Sequence, residues 1–245
     1  MRPSAVRSIS LICGAACAAL LLAPSASAGP RKAAKKKAPA TGTVEGTVRF
    51  AGKVPRPAAI PATQDPYCAS KKIVDEKVVV TGGMLRDVYV GVPAGKGGTH
   101  SAPSAPVVID QSGCMYRPRV VGVMAGQKLE IRNSDHTFHN VRGTEGNRTV
   151  FNHGQPQKFP PVDETASKPG QVLTLRCDIH PWMRGYAVVT DHPYFAVTGA
   201  DGRFVLKDVP AGTHTIEAWH PELGKQTATV KVVAGKTAKV ELTFE

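Results

Sequence analysis

The chain has 245 residues, 24 of them glycine and 20 proline, and a formal net charge of +12. Turn-forming residues spread along a chain almost without helical periodicity exclude a helical bundle and point to short strands joined by turns. The charge does not make the chain a nucleic-acid binder: the densest basic run, Arg31, Lys32, Lys35, Lys36 and Lys37, has no aromatic side chain within it on which a base could stack.

In chain order, residues 1–28 read as a secretory signal peptide. Arg2 and Arg7 form its charged start, Ile9 to Leu22 its apolar run, and Ala26-Ser27-Ala28 a small-residue cleavage site. The apolar run is too short to span a bilayer, and no later stretch approaches that length, so no transmembrane segment is expected in the mature chain. The expected localisation is periplasmic or secreted. Residues 29–41, rich in Ala, Pro and Lys, read as a basic flexible linker. Strands are expected at Val44–Phe50, Lys77–Val80, Arg86–Val92, Pro106–Asp110, Val120–Val123, Lys128–Arg132, Gln171–Cys177 and Gly185–Thr190. Four more follow at Arg203–Leu206, Thr213–Trp219, Gln226–Val233 and Thr237–Phe244, where Val, Ile and Thr alternate between Gly- and Pro-bearing turns. The expected class is all-β, and the length suffices for two compact β units.

Chemistry concentrates in Cys177-Asp178-Ile179-His180-Pro181-Trp182-Met183, with His139 well upstream. One thiolate, two imidazoles and one thioether are the donor types of a blue-copper centre. Cysteine, histidine and methionine at i, i+3 and i+6 fit one short loop closing on a metal. Zinc also accepts a thiolate and two imidazoles, but a thioether is a poor zinc ligand. A packed turn with no metal is the bland alternative.

The same residues resemble the ligand region of the cupredoxins, in particular amicyanin and plastocyanin. The upstream run Asn133-Ser134-Asp135-His136-Thr137-Phe138-His139-Asn140-Val141 is similar to their first ligand turn. Tyr116-Arg117-Pro118, Val120–Val123, Gly126-Gln127 and Leu129-Glu130-Ile131 resemble the strands before it. The resemblance covers residues 106–190 and implies a Greek-key β-sandwich with one type 1 copper. His139, Cys177 and His180 would be the equatorial ligands and Met183 the axial one. It implies that Asn140 directs its backbone N–H at the Cys177 sulfur and ties the two ligand loops together. Asn133 and Asp135 are read as shaping the turn under His139. It implies a buried His139 and a His180 near the surface, with Pro181 and Trp182 in an apolar docking face. The partner would be a redox protein such as a c-type cytochrome or a copper or haem oxidoreductase. Trp182 reads equally as a core residue sealing the loop.

Cleavage after Ala28 would remove Cys13 and Cys17, leaving Cys68, Cys114 and Cys177. If Cys177 holds copper as the resemblance implies, Cys68 and Cys114 remain as a disulfide pair, which an exported compartment permits. It would close a loop of about 46 residues, worth on the order of 4 kcal/mol. Pairing of Cys114 with Cys177 stays open at this stage.

A second resemblance lies toward the C-terminus. Thr198-Gly199-Ala200-Asp201-Gly202-Arg203-Phe204 and Asp208-Val209-Pro210-Ala211-Gly212-Thr213 are similar to the carboxypeptidase-regulatory-like, transthyretin-like β-sandwich. The start of that pattern lies instead at Val44-Glu45-Gly46-Thr47-Val48, with Asp87–Val92 after it. The expected arrangement is one split sandwich, residues 42–105 plus 191–245, with the copper unit of 106–190 inserted. Three consecutive units are the alternative.

The function expected is an exported single-electron carrier. A copper-delivery or copper-sensing protein is the second reading, and a structural or carbohydrate-interacting β-sandwich the third. No catalytic activity is expected. The chain lacks the His-x-His and His-Cys-His patterns of multicopper oxidases and the second loop cysteine of a dinuclear copper centre. It also lacks the common hydrolase, metalloprotease and phosphate-loop motifs.

Overall fold

The computed structural model describes residues 40–245. The signal-peptide reading of 1–28 and nearly all of the linker reading of 29–41 lie outside the described residues. Within them the chain is all-β, with eighteen strands and one short helical turn. No helix among the described residues is long and apolar enough to cross a membrane.

The first strand, β1 (Thr41–Phe50), buries Val44 and Val48 on one face. A single helical turn, α1 (Pro66–Ala69), follows, capped by Asp65. Strands β2 (Val80–Thr81) and β3 (Met84–Leu85) form a hairpin. Gly82 and Gly83 join them at φ +57° and +80°, conformations that favour glycine at both positions. Strand β4 (Tyr89–Gly91) is shorter than the expected Arg86–Val92, because Asp87 adopts φ +62° and breaks the extended run. The expected Lys77–Val80 strand is likewise reduced to the start of β2.

The middle of the chain supplies β5 (Val107–Gln111), β6 (Tyr116–Arg117), β7 (Val120–Met124), β8 (Lys128–Asn133) and β9 (His139–Glu145). It continues with β10 (Arg148–Gln155), β11 (Val162–Thr165), β12 (Val172–Arg176) and β13 (Arg184–Thr190). The last part supplies β14 (Phe195–Val197), β15 (Arg203–Pro210), β16 (Gly212–His220), β17 (Gly224–Val232) and β18 (Thr237–Phe244).

These strands make four sheets. One runs β15-β1-β3-β2 with β18 parallel to β1, and a second runs β14-β4-β16-β17. Between them lies a core of Val44, Val48, Val90, Phe204, Ile216 and Phe244. The other two run β10-β9-β12-β13-β7 and β11-β8-β5-β6, around Ile109, Tyr116, Leu129, Ile131, Val141 and Leu175. Among the described strands, those before residue 92 and after residue 194 pair only with one another. Those between 107 and 190 also pair only among themselves.

Cys68 and Cys114 are disulfide-bonded, and Cys177 is free and buried, so the Cys114–Cys177 alternative is excluded. Both halves of this bond sit in one core. Ala62, Cys68 and Ile73 pack into the same core as Cys114, Leu175, Cys177 and Met183. The disulfide therefore draws the segment around α1 onto the sheets that carry residues 177–183.

Candidate metal centre

The antiparallel hairpin of β12 and β13 pairs Val172 with Val188 and ends with Arg176 opposite Arg184. Residues 177–183 form its tip. The loop is closed by Cys177 N–H donating to the Met183 carbonyl at 3.4 Å and Met183 N–H donating to the His180 carbonyl at 2.9 Å. Strand β9 lies beside β12, with Arg142 opposite Arg176. That pairing brings His139, the first residue of β9, to the same end as the loop.

Three donor atoms converge there. Cys177 Sγ lies 3.6 Å from His180 Nδ1 and 4.0 Å from His139 Nδ1, and the two Nδ1 atoms are 2.9 Å apart. These spacings suit a single ion about 2.0–2.3 Å from each donor. His139 and His180 are fully buried and Cys177 nearly so. Met183, also fully buried, belongs to the same cluster as Cys177.

The outer face of each ring meets a carboxylate. His139 Nε2 is 3.0 Å from Asp135 Oδ2, and His180 Nε2 is 3.2 Å from Asp65 Oδ2. With Nε2–H donated outward, each neutral ring turns an Nδ1 lone pair inward. Two lone pairs 2.9 Å apart beside a sulfur form an electron-rich buried pocket that calls for a cation. In the metal-free chain a proton answers that need. Burial disfavours a charged His139, but the Asp135 carboxylate and the Cys177 thiolate outweigh it and push its pKa up to about 9. The Cys177 thiol is raised by burial, yet His139 and the backbone N–H groups of Asn140, His180 and Ile179 bring it below its ordinary value. Burial and the charge on His139 hold His180 below the ordinary histidine range, against the opposing pull of Asp65.

The residues expected around the ligands lie close to them. The Asn140 backbone N–H faces Cys177. Its side-chain oxygen accepts from Asp178 N–H at 2.6 Å, and its Nδ2 donates to Asp178 Oδ2 and Asn152 Oδ1, joining the two ligand segments. Asn133 Nδ2 donates to the Thr137 and Gln155 carbonyls, and its Oδ1 accepts from Asp135 N–H. Pro181 is exposed and Trp182 half-buried. The Trp182 ring lies 5.1 Å from His180, and its Nε1 donates to the Cys114 carbonyl at 3.0 Å. It seals the loop on one side and lines an open cleft with Pro181, Arg119, Arg184 and Tyr186 on the other.

One expectation fails. His180 is not near the surface: it has no solvent exposure, because Asp65 and the α1 turn lie over its outer edge. Asp65 had no local signal in the sequence. Asp135 did, as a carboxylate four residues before a candidate ligand histidine, although its role was read as turn formation. Of the other histidines, His136 is exposed, His153 pairs with Glu164, and His192 and His220 are buried elsewhere.

A family model described as polysaccharide lyase family 4, domain II, matches residues 182–240. No curated protein matches the chain. Among solved structures, amicyanin from Paracoccus versutus aligns at 22% identity over 46% of this chain and 97% of its own, with a TM-score of 0.32. The copper-containing nitrite reductase of Thermus scotoductus aligns at 22% identity over 41% of this chain, with a TM-score of 0.33, and the chain spans only 25% of that enzyme. A purple cupredoxin from Nitrosopumilus maritimus aligns at 19% identity over 41% of this chain and 97% of its own, with a TM-score of 0.29.

Proposed function

We propose that this chain is an exported type 1 copper protein that passes single electrons between redox partners. One observation carries the reading: two imidazole nitrogens and one thiolate converge in a buried pocket, while both outer ring nitrogens are already bonded to carboxylates. His139, Cys177 and His180 would hold the metal, and Met183 would add a thioether donor. Copper bound there would supply a Cu(I)/Cu(II) couple. The protein's own part is to keep these side chains still. Cys177 sits at a strand end, and Pro181 fixes the backbone just after His180. Asn140 bonds the loop to the strand carrying His139. Full burial excludes water and slows metal loss, which favours a carrier over a delivery protein. With the His180 edge covered, the aromatic group beside it that reaches the surface is Trp182, and we assign partner docking to Pro181 and Trp182. Export rests on residues 1–28. The separate strand pairing of 41–91 with 195–244 supports the inserted arrangement.

The test is the absorption spectrum of the protein after Cu(II) addition. An intense visible thiolate-to-copper band is expected, absent from Cys177→Ser. A colourless oxidised protein contradicts the reading. Fast electron self-exchange with slow copper release marks a carrier, and the reverse marks a delivery protein. The family match over 182–240 gives the C-terminal strands a second reading as a glycan-contacting surface, tested by retardation of the protein in polysaccharide-containing gels.

A further inference from the structure

We propose that Asp65 is a positioning residue for His180 and that the turn it caps is a built-in cover over the metal centre. This rests on the copper reading above. Asp65 lies 115 positions before His180 and outside both ligand segments, yet its Oδ2 is 3.2 Å from His180 Nε2. Its other oxygen accepts from the N–H groups of Tyr67 and Cys68, which fixes the carboxylate at the head of α1. The Thr137 hydroxyl, two residues before His139, donates to the oxygen that meets His180. From the same turn, the Tyr67 hydroxyl donates to Asp135 Oδ1 at 3.0 Å, and Asp135 Oδ2 meets His139. One short segment thus braces both imidazoles through two carboxylates.

The disulfide holds that segment in place. Cys68 belongs to α1, and its sulfur lies 3.7 Å from His180 Nε2. Cys114, its partner, donates its backbone N–H to Asp135 Oδ2 at 2.7 Å. The geometry makes Asp65 the acceptor for His180 Nε2–H, which leaves Nδ1 as the inward donor atom. The ring cannot swing outward without breaking this contact and displacing the turn. Ligand exchange at His180 and attack by small chelators are therefore impeded by the chain itself.

Asp65→Asn tests the role, because asparagine keeps the size and the capping oxygen of aspartate. Its amide would face His180 Nε2–H donor to donor, so the ring must take the other tautomer. Long-range nitrogen–proton NMR on the metal-free protein reads this without copper. Wild type is expected to carry the Nε2–H tautomer at His180, and D65N to lose it. In the copper-loaded protein, D65N should weaken copper retention against a chelator by about 10–100-fold, as for other outer partners of metal-bound histidines. An Nδ1–H tautomer at His180 in metal-free wild type would overturn the proposal, whether or not the variant folds. So would D65N with unchanged tautomer and unchanged copper retention. If wild type binds no copper, the functional reading falls, while the tautomer comparison still decides the role of Asp65.

Discussion

His139 shows how a buried cluster of donor atoms comes to hold a proton. Its pKa of about 9 reflects the Asp135 carboxylate and the Cys177 thiolate overcoming burial. At neutral pH the metal-free ring is therefore protonated, and metal binding must displace that proton. Copper uptake at pH 7 should release at least the His139 proton, and the apparent affinity should rise with pH up to pH ~9. Calorimetry in buffers of different ionisation enthalpy measures the proton count. No proton release at pH 7 would mean that His139 is neutral in the metal-free chain or is not a ligand. At this scale the grouping of His139, Cys177 and His180 was legible, from the types and spacing of the loop residues and from the residues that flank His139. The carboxylate partners were less so, because a contact such as Asp65 with His180 joins positions 115 apart and leaves no local pattern.

Among the elements, α1 and its disulfide matter most for the site. The turn buries little apolar surface of its own and is held by the Asp65 cap, Cys68–Cys114 and contacts of Ala62 and Ile73 with the core. Replacing both cysteines by serine removes a cross-link spanning 46 positions. That should cost about 4 kcal/mol by the chain-entropy relation, read as a lower denaturant midpoint. The same variant should leave His180 open to solvent and accelerate copper extraction. An unchanged midpoint and extraction rate would deny the cross-link both roles. Alternating Val and Ile made β1, β5, β8 and β12 legible. Strands β9 and β10 were not, because His-Asn-Val-Arg-Gly-Thr-Glu and Arg-Thr-Val-Phe-Asn-His-Gly-Gln lack clean alternation. They exist because β9 is paired on both sides, by β10 and β12. Gly143 supplies part of that fit: its missing side chain leaves room for the Phe151 ring, within 2.4 Å of where a Cβ would stand.

Across the whole molecule, the sheets formed by the ends of the chain and the sheets formed by its middle meet at Tyr89, Val120, Tyr186 and Val188, with Phe195 and Trp219 packed on them. Arg119, nearly buried, bonds to Glu222 across that junction and to the Lys77 carbonyl. His220 lies close by, fully buried, with Nε2 lacking a partner. Burial first and the Arg119 charge second push its pKa down to about 4. A histidine depressed in the folded state favours folding above its unfolded value near 6.5 and loses that contribution as pH falls toward 4. The loss is on the order of 3 kcal/mol. Denaturation of the metal-free protein should show this slope between about pH 6.5 and 4, and His220→Gln should flatten it. An identical slope in the variant would remove His220 from the account. The strands of the two chain ends pair with one another; the junction left no pattern in the sequence, because its contacts depend on how the sheets pack.

The most direct measurement is anomalous diffraction at the copper edge from crystals of the copper-loaded protein. The account requires one strong peak within bonding distance of Cys177 Sγ, His139 Nδ1 and His180 Nδ1, on the Met183 side of the loop and beneath the Asp65 turn. A peak elsewhere, or one that leaves Cys177 uncoordinated, would contradict it.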